Sequence, residues 1–170
     1  MQDPEQTKTG SPEERVSFLL HRLNASMSRV SNPLFKQYGL DAITARILVV
    51  TLHRPHSFVG DIVRALGLPQ STVSHQIKRL ENMGYLIREK DRLDARSFKV
   101  TLTGNGMSVA EECDARSQRL NDLVTAELQE KDSQVFFDAV HQLLSFMEAL
   151  DQDRLIHDSG TPPTREQGSR

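Results

Sequence analysis

The sequence predicts a mainly α fold with a small β-hairpin wing: a winged helix-turn-helix flanked by long N- and C-terminal helices. Three observations predict it. Val59, Ile62, Val63 and Leu66 form a short helical apolar stripe, Gly67 follows as a residue free to turn with positive φ, and Val73, Ile77 and Leu80 begin a second stripe. Next, Gly84 can cap that second helix, and Tyr85-Leu86-Ile87-Arg88-Glu89 and Phe98-Lys99-Val100-Thr101-Leu102 both read as strands. Finally, apolar residues recur at helical spacing on both sides of this block.

Taken in order, residues 1–10 are polar without periodicity and read as a disordered arm. Ser11-Pro12-Glu13-Glu14 is a helix start, with Ser11 as cap, Pro12 at the first helical position and Glu14 completing a capping box. Val16, Leu19, Leu20, Leu23, Met27 and Val30 then carry a helix to about Ser31. Pro33 lacks a backbone donor and should end or kink that helix before Leu34. Gly39 closes the element, so that residues 11–40 form an N-terminal helical segment. Asp41 can cap the next helix, whose apolar positions are Ile43, Ile47, Leu48, Val50 and Leu52, and Pro55 bars its continuation. His56-Ser57-Phe58 can form a short strand leading into the helix-turn-helix, and residues 41–103 make up the winged domain.

On the second helix of the motif, an advance of about 100° per residue clusters Val73, Ile77 and Leu80 on one side. Ser71, His75, Lys78 and Asn82 fall opposite, flanked by Ser74 and Arg79. That outward face is small, polar and basic, which suits a helix lying in a DNA major groove, although the same pattern also describes an ordinary solvated face. In the second strand Phe98, Val100 and Leu102 alternate with Lys99 and Thr101, as a half-buried strand requires. Lys90-Asp91-Arg92-Leu93-Asp94-Ala95-Arg96-Ser97 gives the hairpin a charged, basic tip.

With Ser71-Thr72-Val73-Ser74, Leu80-Glu81-Asn82-Met83-Gly84-Tyr85-Leu86-Ile87-Arg88, Asp91-x-x-Asp94-x-Arg96 and Val100-x-Leu102-Thr103-x-x-Gly106 in this order and spacing, the chain resembles the MarR family of bacterial transcription regulators. The resemblance implies a homodimeric regulator, a repressor, that binds a pseudo-palindromic operator on double-stranded DNA. It also implies release by a small, often aromatic, effector, with the effector-binding residues left unspecified. The DNA-binding set comprises Gln70, Ser71, Ser74, His75, Lys78 and Arg79 on the helix and Arg92 and Arg96 on the wing. The family places Arg96 at the wing tip, reaching the minor groove, with Asp94 as its brace. Pro69 departs from the family, in which a small capping residue is common there, because proline has no side-chain acceptor.

Beyond the wing, Thr103 can cap a long helix whose first turn, Gly104-Asn105-Gly106, is made of poor helix formers and should fray. Ala110, Cys113, Ser117, Leu120 and Val124 form its stripe. Asp132-Ser133 opens a last helix bearing Val135, Phe136, Ala139, Val140, Leu143, Leu144, Phe146, Met147 and Leu150. Residues 104–156 are thus a C-terminal helical segment, and 157–170 read as a disordered tail. A winged helix of roughly 60 residues cannot cover three further amphipathic helices, so the outer helices are expected to interleave with those of a second copy.

With 170 residues the chain has room for one well-buried domain or a small domain with helical extensions. It has 37% hydrophobic residues, no Trp, and no apolar run near the roughly 18 residues of a membrane span. The segment from Met1 to Lys8 lacks the regions of a secretory signal, and a single Cys offers no internal disulfide, so the expected compartment is the cytoplasm. The net charge of −2 conceals a gradient: +1 over residues 1–53, +4 over 54–100 and −7 over 101–170. The basic excess coincides with the winged helix, and the acidic third orients the molecule on phosphates.

Other groupings are weaker. His53-x-x-His56 has a metal-like spacing but is interrupted by Pro55 and lacks further ligands, so no metal or cofactor is expected. His21 and His141 lie beside apolar stripes and read as packing residues. Cys113 shares a stripe with Leu120 and Val124, which favours a small buried residue over a thiol sensor. No nucleophile with a base, glycine-rich phosphate loop or functional carboxylate pair is recognisable, so an enzyme is not expected. Two alternatives remain: an ArsR-like winged-helix sensor, whose metal-binding cysteines are absent here, and a winged helix used only to bind proteins.

Overall fold

The computed structural model describes residues 11–90 and 98–150. Contacts divide the chain into two compact units, residues 1–122 and 123–170. In the first, α1 (Val16–Phe35), α2 (Ala42–His53), β1 (Ser57–Phe58), α3 (Val59–Leu66), α4 (Gln70–Asn82), β2 (Leu86–Lys90) and β3 (Phe98–Leu102) precede α5 (Gly104–Ala126), whose last four residues fall in the second. The second holds α6 (Glu130–Ala149). This is the mainly α fold with a hairpin wing that the sequence predicts.

The start of α1 differs from the expected capping box. Residues Pro12–Glu14 form a 3-10 turn, the Ser11 hydroxyl donates to the Glu13 carboxylate instead of accepting a backbone N–H, and α1 begins after Arg15. Its end differs as well, because the helix runs through Pro33 to Phe35. Pro33 removes a single donor two residues from the terminus, whereas Phe35 is buried and Asn32 Oδ1 accepts the Ala42 N–H at 2.8 Å. Tertiary anchoring therefore outweighs the lost bond. The Gly39 N–H then donates to Lys36 O and the Leu40 N–H to Phe35 O, with Gly39 at φ +70°, which is a Schellman close.

Asp41 caps α2 as expected: Oδ1 accepts the N–H groups of Ile43 (3.0 Å) and Thr44 (2.9 Å), and Thr44 Oγ1 accepts the Asp41 N–H. Gly67 lies at φ +61° between α3 and α4, and Gly84 at φ +73° closes α4 with a second Schellman pair, Tyr85 N–H to Leu80 O and Gly84 N–H to Glu81 O. This use of the Tyr85 N–H starts β2 one residue later than expected. The sheet order is β1-β3-β2, all antiparallel, with Ser57 opposite Val100, Leu86 opposite Leu102 and Lys90 opposite Phe98. The wing is thereby tied to the body through β1.

One core joins these elements. Ile47 and Leu48 of α2, Ile62 of α3, Val73, Ile77 and Leu80 of α4, Val100 of β3 and Ala110 and Cys113 of α5 are fully buried. Each such aliphatic side chain contributes roughly 1.5–3 kcal/mol of apolar burial. The three α4 positions are those of the sequence stripe, so the opposite face of α4 has to look outward.

The first turn of α5 does not fray. Thr103 Oγ1 accepts the Gly106 N–H at 2.9 Å and donates to Gly84 O at 2.7 Å, and Gly106 is buried. A Cβ on Gly106 would lie 1.8 Å from the Tyr85 carbonyl oxygen, so glycine is required by close approach, and that approach stabilises the turn. In the second unit, α6 starts at Glu130, behind Gln129, rather than at Asp132. Glu and Lys at its first two positions are good helix formers and extend it N-terminally. Phe136 and Phe137 pack edge to face, with centroids 5.7 Å apart.

Candidate nucleic-acid interface

The outward face of α4 is positioned by the two turns that bracket it and by its buried stripe. Gln70, Ser71, His75, Lys78 and Asn82 are exposed, and Ser74 is half-buried. His75, Lys78, Arg79 and Asn82 line a shallow groove along the helix. Pro69 precedes α4 and no side chain caps its first turn, as expected from a residue without an acceptor. Among the described residues, Lys78 enters no intramolecular ion pair, so its ammonium is available to a partner from outside.

Arg79 sits differently from its neighbours. Its guanidinium donates to Asp41 Oδ2 at 3.0 Å and to Gly39 O at 2.7 Å, both in the turn ahead of α2. Burial pulls the Asp41 carboxyl pKa up, but the Thr44 backbone N–H, the Thr44 hydroxyl and Arg79 outweigh it and hold the pKa below the usual carboxylate value. Sequence reasoning found Asp41 only as a cap. Its second role joins residues 38 positions apart, which spacing along one helix does not reveal.

The base of the wing is braced to α4. Arg88 lies 3.5 Å from Glu81 and stacks over the Phe98 ring at 4.9 Å, and Lys99 lies over Phe58 at 5.3 Å. Arg92, Asp94 and Arg96 fall outside the described residues. His53 does not meet His56 as a ligand pair; its Nε2 lies 2.9 Å from Asp114 Oδ2 on α5, and His56 Nδ1 lies 3.3 Å from Thr101 Oγ1. Among the described residues no cluster of three metal-ligating side chains forms, and no helix is long and apolar enough to cross a membrane. Cys113 is fully buried, and desolvation pushes its thiol pKa up to about 11, the opposite of what a reactive thiolate needs.

A helix-turn-helix with a basic outer face, followed by a hairpin tied back to the body, defines a winged helix-turn-helix DNA-binding protein. Residues 38–97 match the model of the MarR family, whose members among the similar proteins are transcriptional regulators and not enzymes. The chain is 27% identical over 108 residues to the HTH-type transcriptional regulator MgrA of Staphylococcus aureus, a match that spans 63% of this chain and 74% of that protein. Solved structures of similar fold include the PcaV transcriptional regulator of Streptomyces coelicolor in complex with its natural ligand, with a TM-score of 0.72, 22% identity, and coverage of 81% of this chain and 96% of that one. The S. aureus MepR–DNA complex has a TM-score of 0.72 at 20% identity, covering 77% and 97%. A MarR protein from Peptoclostridium difficile reaches 0.76 at 16% identity, covering 87% and 95%.

Proposed function

We propose that this regulator is a cytoplasmic homodimeric repressor that reads a pseudo-palindromic operator and releases it on binding a small aromatic effector. The observation that carries the DNA-reading part is the outward face of α4, where exposed Ser71, His75 and Lys78 stand opposite the fully buried Val73, Ile77 and Leu80. Ser71, Ser74, His75 and Lys78 contact base edges in the major groove, Gln70 reaches bases or phosphates at its rim, and Arg92 and Arg96 serve the wing, with Asp94 steadying Arg96. The similarity of fold to a protein solved with DNA supports this reading, and similarity to one solved with its natural ligand supports an effector.

The dimer rests on apolar surface that a single chain leaves uncovered. Val16, Phe18, Leu19, Leu20 and Leu23 of α1 are exposed, and on α6 so are Val135, Leu143, Leu144, Phe146 and Met147. So much apolar surface on two helices marks an association face. A two-fold dimer would carry two α4 helices to successive major grooves, roughly 34–36 Å apart.

Selection of bound DNA from a random pool tests function and symmetry together. Two inverted half-sites about one helical turn apart are expected, and an unenriched pool would refute the reading. Lys78→Ala should relax preference at particular base pairs by about 1–3 kcal/mol. Arg96→Ala should instead weaken most sequences and flatten the salt dependence; an unchanged affinity and salt slope would remove the wing from the DNA-binding surface.

A further inference from the structure

The turn from Tyr38 to Asp41 gathers contacts from Arg79 of α4 and from Met83 and Tyr85 just after it. Arg79 donates to Gly39 O (2.7 Å) and Asp41 Oδ2 (3.0 Å), and the Tyr85 hydroxyl donates to Tyr38 O at 3.1 Å. Met83 lies so close that a Cβ on Gly39 would stand 3.1 Å from its Cε. With Gly39 at φ +70°, the turn offers the Gly39 carbonyl to Arg79 of α4 and the Tyr38 carbonyl to Tyr85 beyond it, and the Asp41 carboxylate divides its oxygens, with Oδ1 capping α2 and Oδ2 meeting Arg79.

We propose that Asp41 and Arg79 are positioning residues for DNA reading: together they fix the axial rotation of α4, so that His75 and Lys78 meet the base edges, and Arg79 acts as this clamp and not as a phosphate contact. The buried stripe of α4 fixes which side faces the core, but apolar packing is non-directional and tolerates small rotations. Two hydrogen bonds from a planar guanidinium to one carbonyl and one carboxylate do not. A rotation of about 20° would move the outer atoms of a long side chain by roughly 2 Å, since such atoms lie roughly 5–6 Å from the helix axis. Base-edge hydrogen bonds are lost over that distance, whereas phosphate attraction is not. The clamp therefore governs sequence preference more than total affinity. Asp41 is partly exposed, and so is Arg79, so their mutual attraction alone adds little to stability; what they supply is direction.

This inference rests on α4 being the groove-reading helix, and the experiment separates the two. The probe is the duplex that the wild-type full-length protein enriches from a random pool, with a scrambled duplex beside it, each titrated at several salt concentrations. Asp41→Asn keeps an Oδ1 acceptor for the Ile43 and Thr44 N–H groups but loses the charge opposite Arg79, and Arg79→Gln loses the guanidinium. Each variant should lower the ratio of selected to scrambled affinity by about fivefold, with the salt slope unchanged. The double variant should lose no more than either single one, because both act through one contact. The proposal is overturned if Asp41→Asn binds as well as or better than wild type while Arg79→Gln flattens the salt slope, since Arg79 would then hold a phosphate. It is also overturned if loss of binding merely follows a loss of folded protein in thermal melts. Lys78→Ala serves as reference: if it too leaves the ratio unchanged, the reading of α4 itself fails, whereas a selective loss there with none in Asp41→Asn defeats the clamp alone.

Discussion

Replacing Gly106 by Ala is the sharpest test of how the wing is held to α5. Helix propensity alone says the change should help, because Ala is favoured over Gly by about 0.8–1.0 kcal/mol inside a helix. The structure says the opposite. The methyl added by Gly106→Ala would lie 1.8 Å from Tyr85 O, 2.7 Å from its carbonyl carbon and 3.1 Å from its Cα, and all three are backbone atoms that no rotamer change can move aside. Restoring contact distance needs a backbone displacement of well over 1 Å. That displacement pulls apart the bond from the Thr103 N–H to Tyr85 O (3.1 Å) and the link from Thr103 Oγ1 to Gly84 O (2.7 Å). Overpacking costs about 1–3 kcal/mol, and each of the two partly exposed hydrogen bonds lost adds about 0.5–1.5. Against a propensity gain near 1 kcal/mol, the net loss is about 1–5 kcal/mol. With a urea m-value of about 2 kcal/mol/M, the midpoint should fall by roughly 0.5–2.5 M at unchanged m. Gly104→Ala is the control: it lies in the same turn with nothing within 4 Å of the added methyl, so it should be neutral or stabilising. If Gly106→Ala unfolds at the same urea concentration as Gly104→Ala, the close approach is not what fixes glycine there.

Further outcomes follow from the outer helices and the buried thiol. If the proposed dimer forms through α6, Leu143→Asp or Phe146→Asp should abolish self-association by burying an unpaired charge, at a cost of about 3–5 kcal/mol. Sedimentation at micromolar concentration reads this directly, and a monomeric wild-type protein would remove the dimer. With its pKa raised by burial to about 11, Cys113 should react slowly with alkylating agents at neutral pH in the folded protein and rapidly after unfolding. The same shift has a defined sign: the folded state favours the protonated thiol, so its contribution is complete below the unfolded value near 9 and is lost as pH rises towards 11. Cys113→Ser should cost on the order of 1 kcal/mol and leave the response of DNA binding to peroxide unchanged; a mutant that binds normally but no longer responds would make Cys113 a sensor.

Elements that depend on local rules were legible in the sequence, and those that depend on a distant neighbour were not. The turns at Gly39, Gly67 and Gly84 and the Asp41 cap are local, since each needs one residue type at one backbone position, and all four stand where the sequence puts them. The α4 stripe is equally local, because periodicity alone assigns Val73, Ile77 and Leu80 to the core and so assigns the basic face to the outside. Pro33 and Gly106 mislead for a shared reason. Both are weak helix residues by propensity, yet each sits where a tertiary contact dominates: buried Phe35 and the Asn32–Ala42 bond near one, the Tyr85 carbonyl against the other.

Arg79 marks the same boundary within the candidate site. A helical wheel places it at the edge of the basic face and so enrols it with His75 and Lys78, because a wheel records only the angle of departure from the helix. The destination of a long side chain depends on what faces that edge. Here the facing groups are the Gly39 carbonyl and the carboxylate left over after Asp41 has capped α2. On the proposed reading of α4, a basic residue at the margin of its outer face has two available roles, and the preceding turn rather than the helix decides between them. The residues that define that turn, Gly39 and Asp41, lie in the sequence where their local roles already account for them. A second role for a residue already explained leaves no unexplained feature to prompt the search.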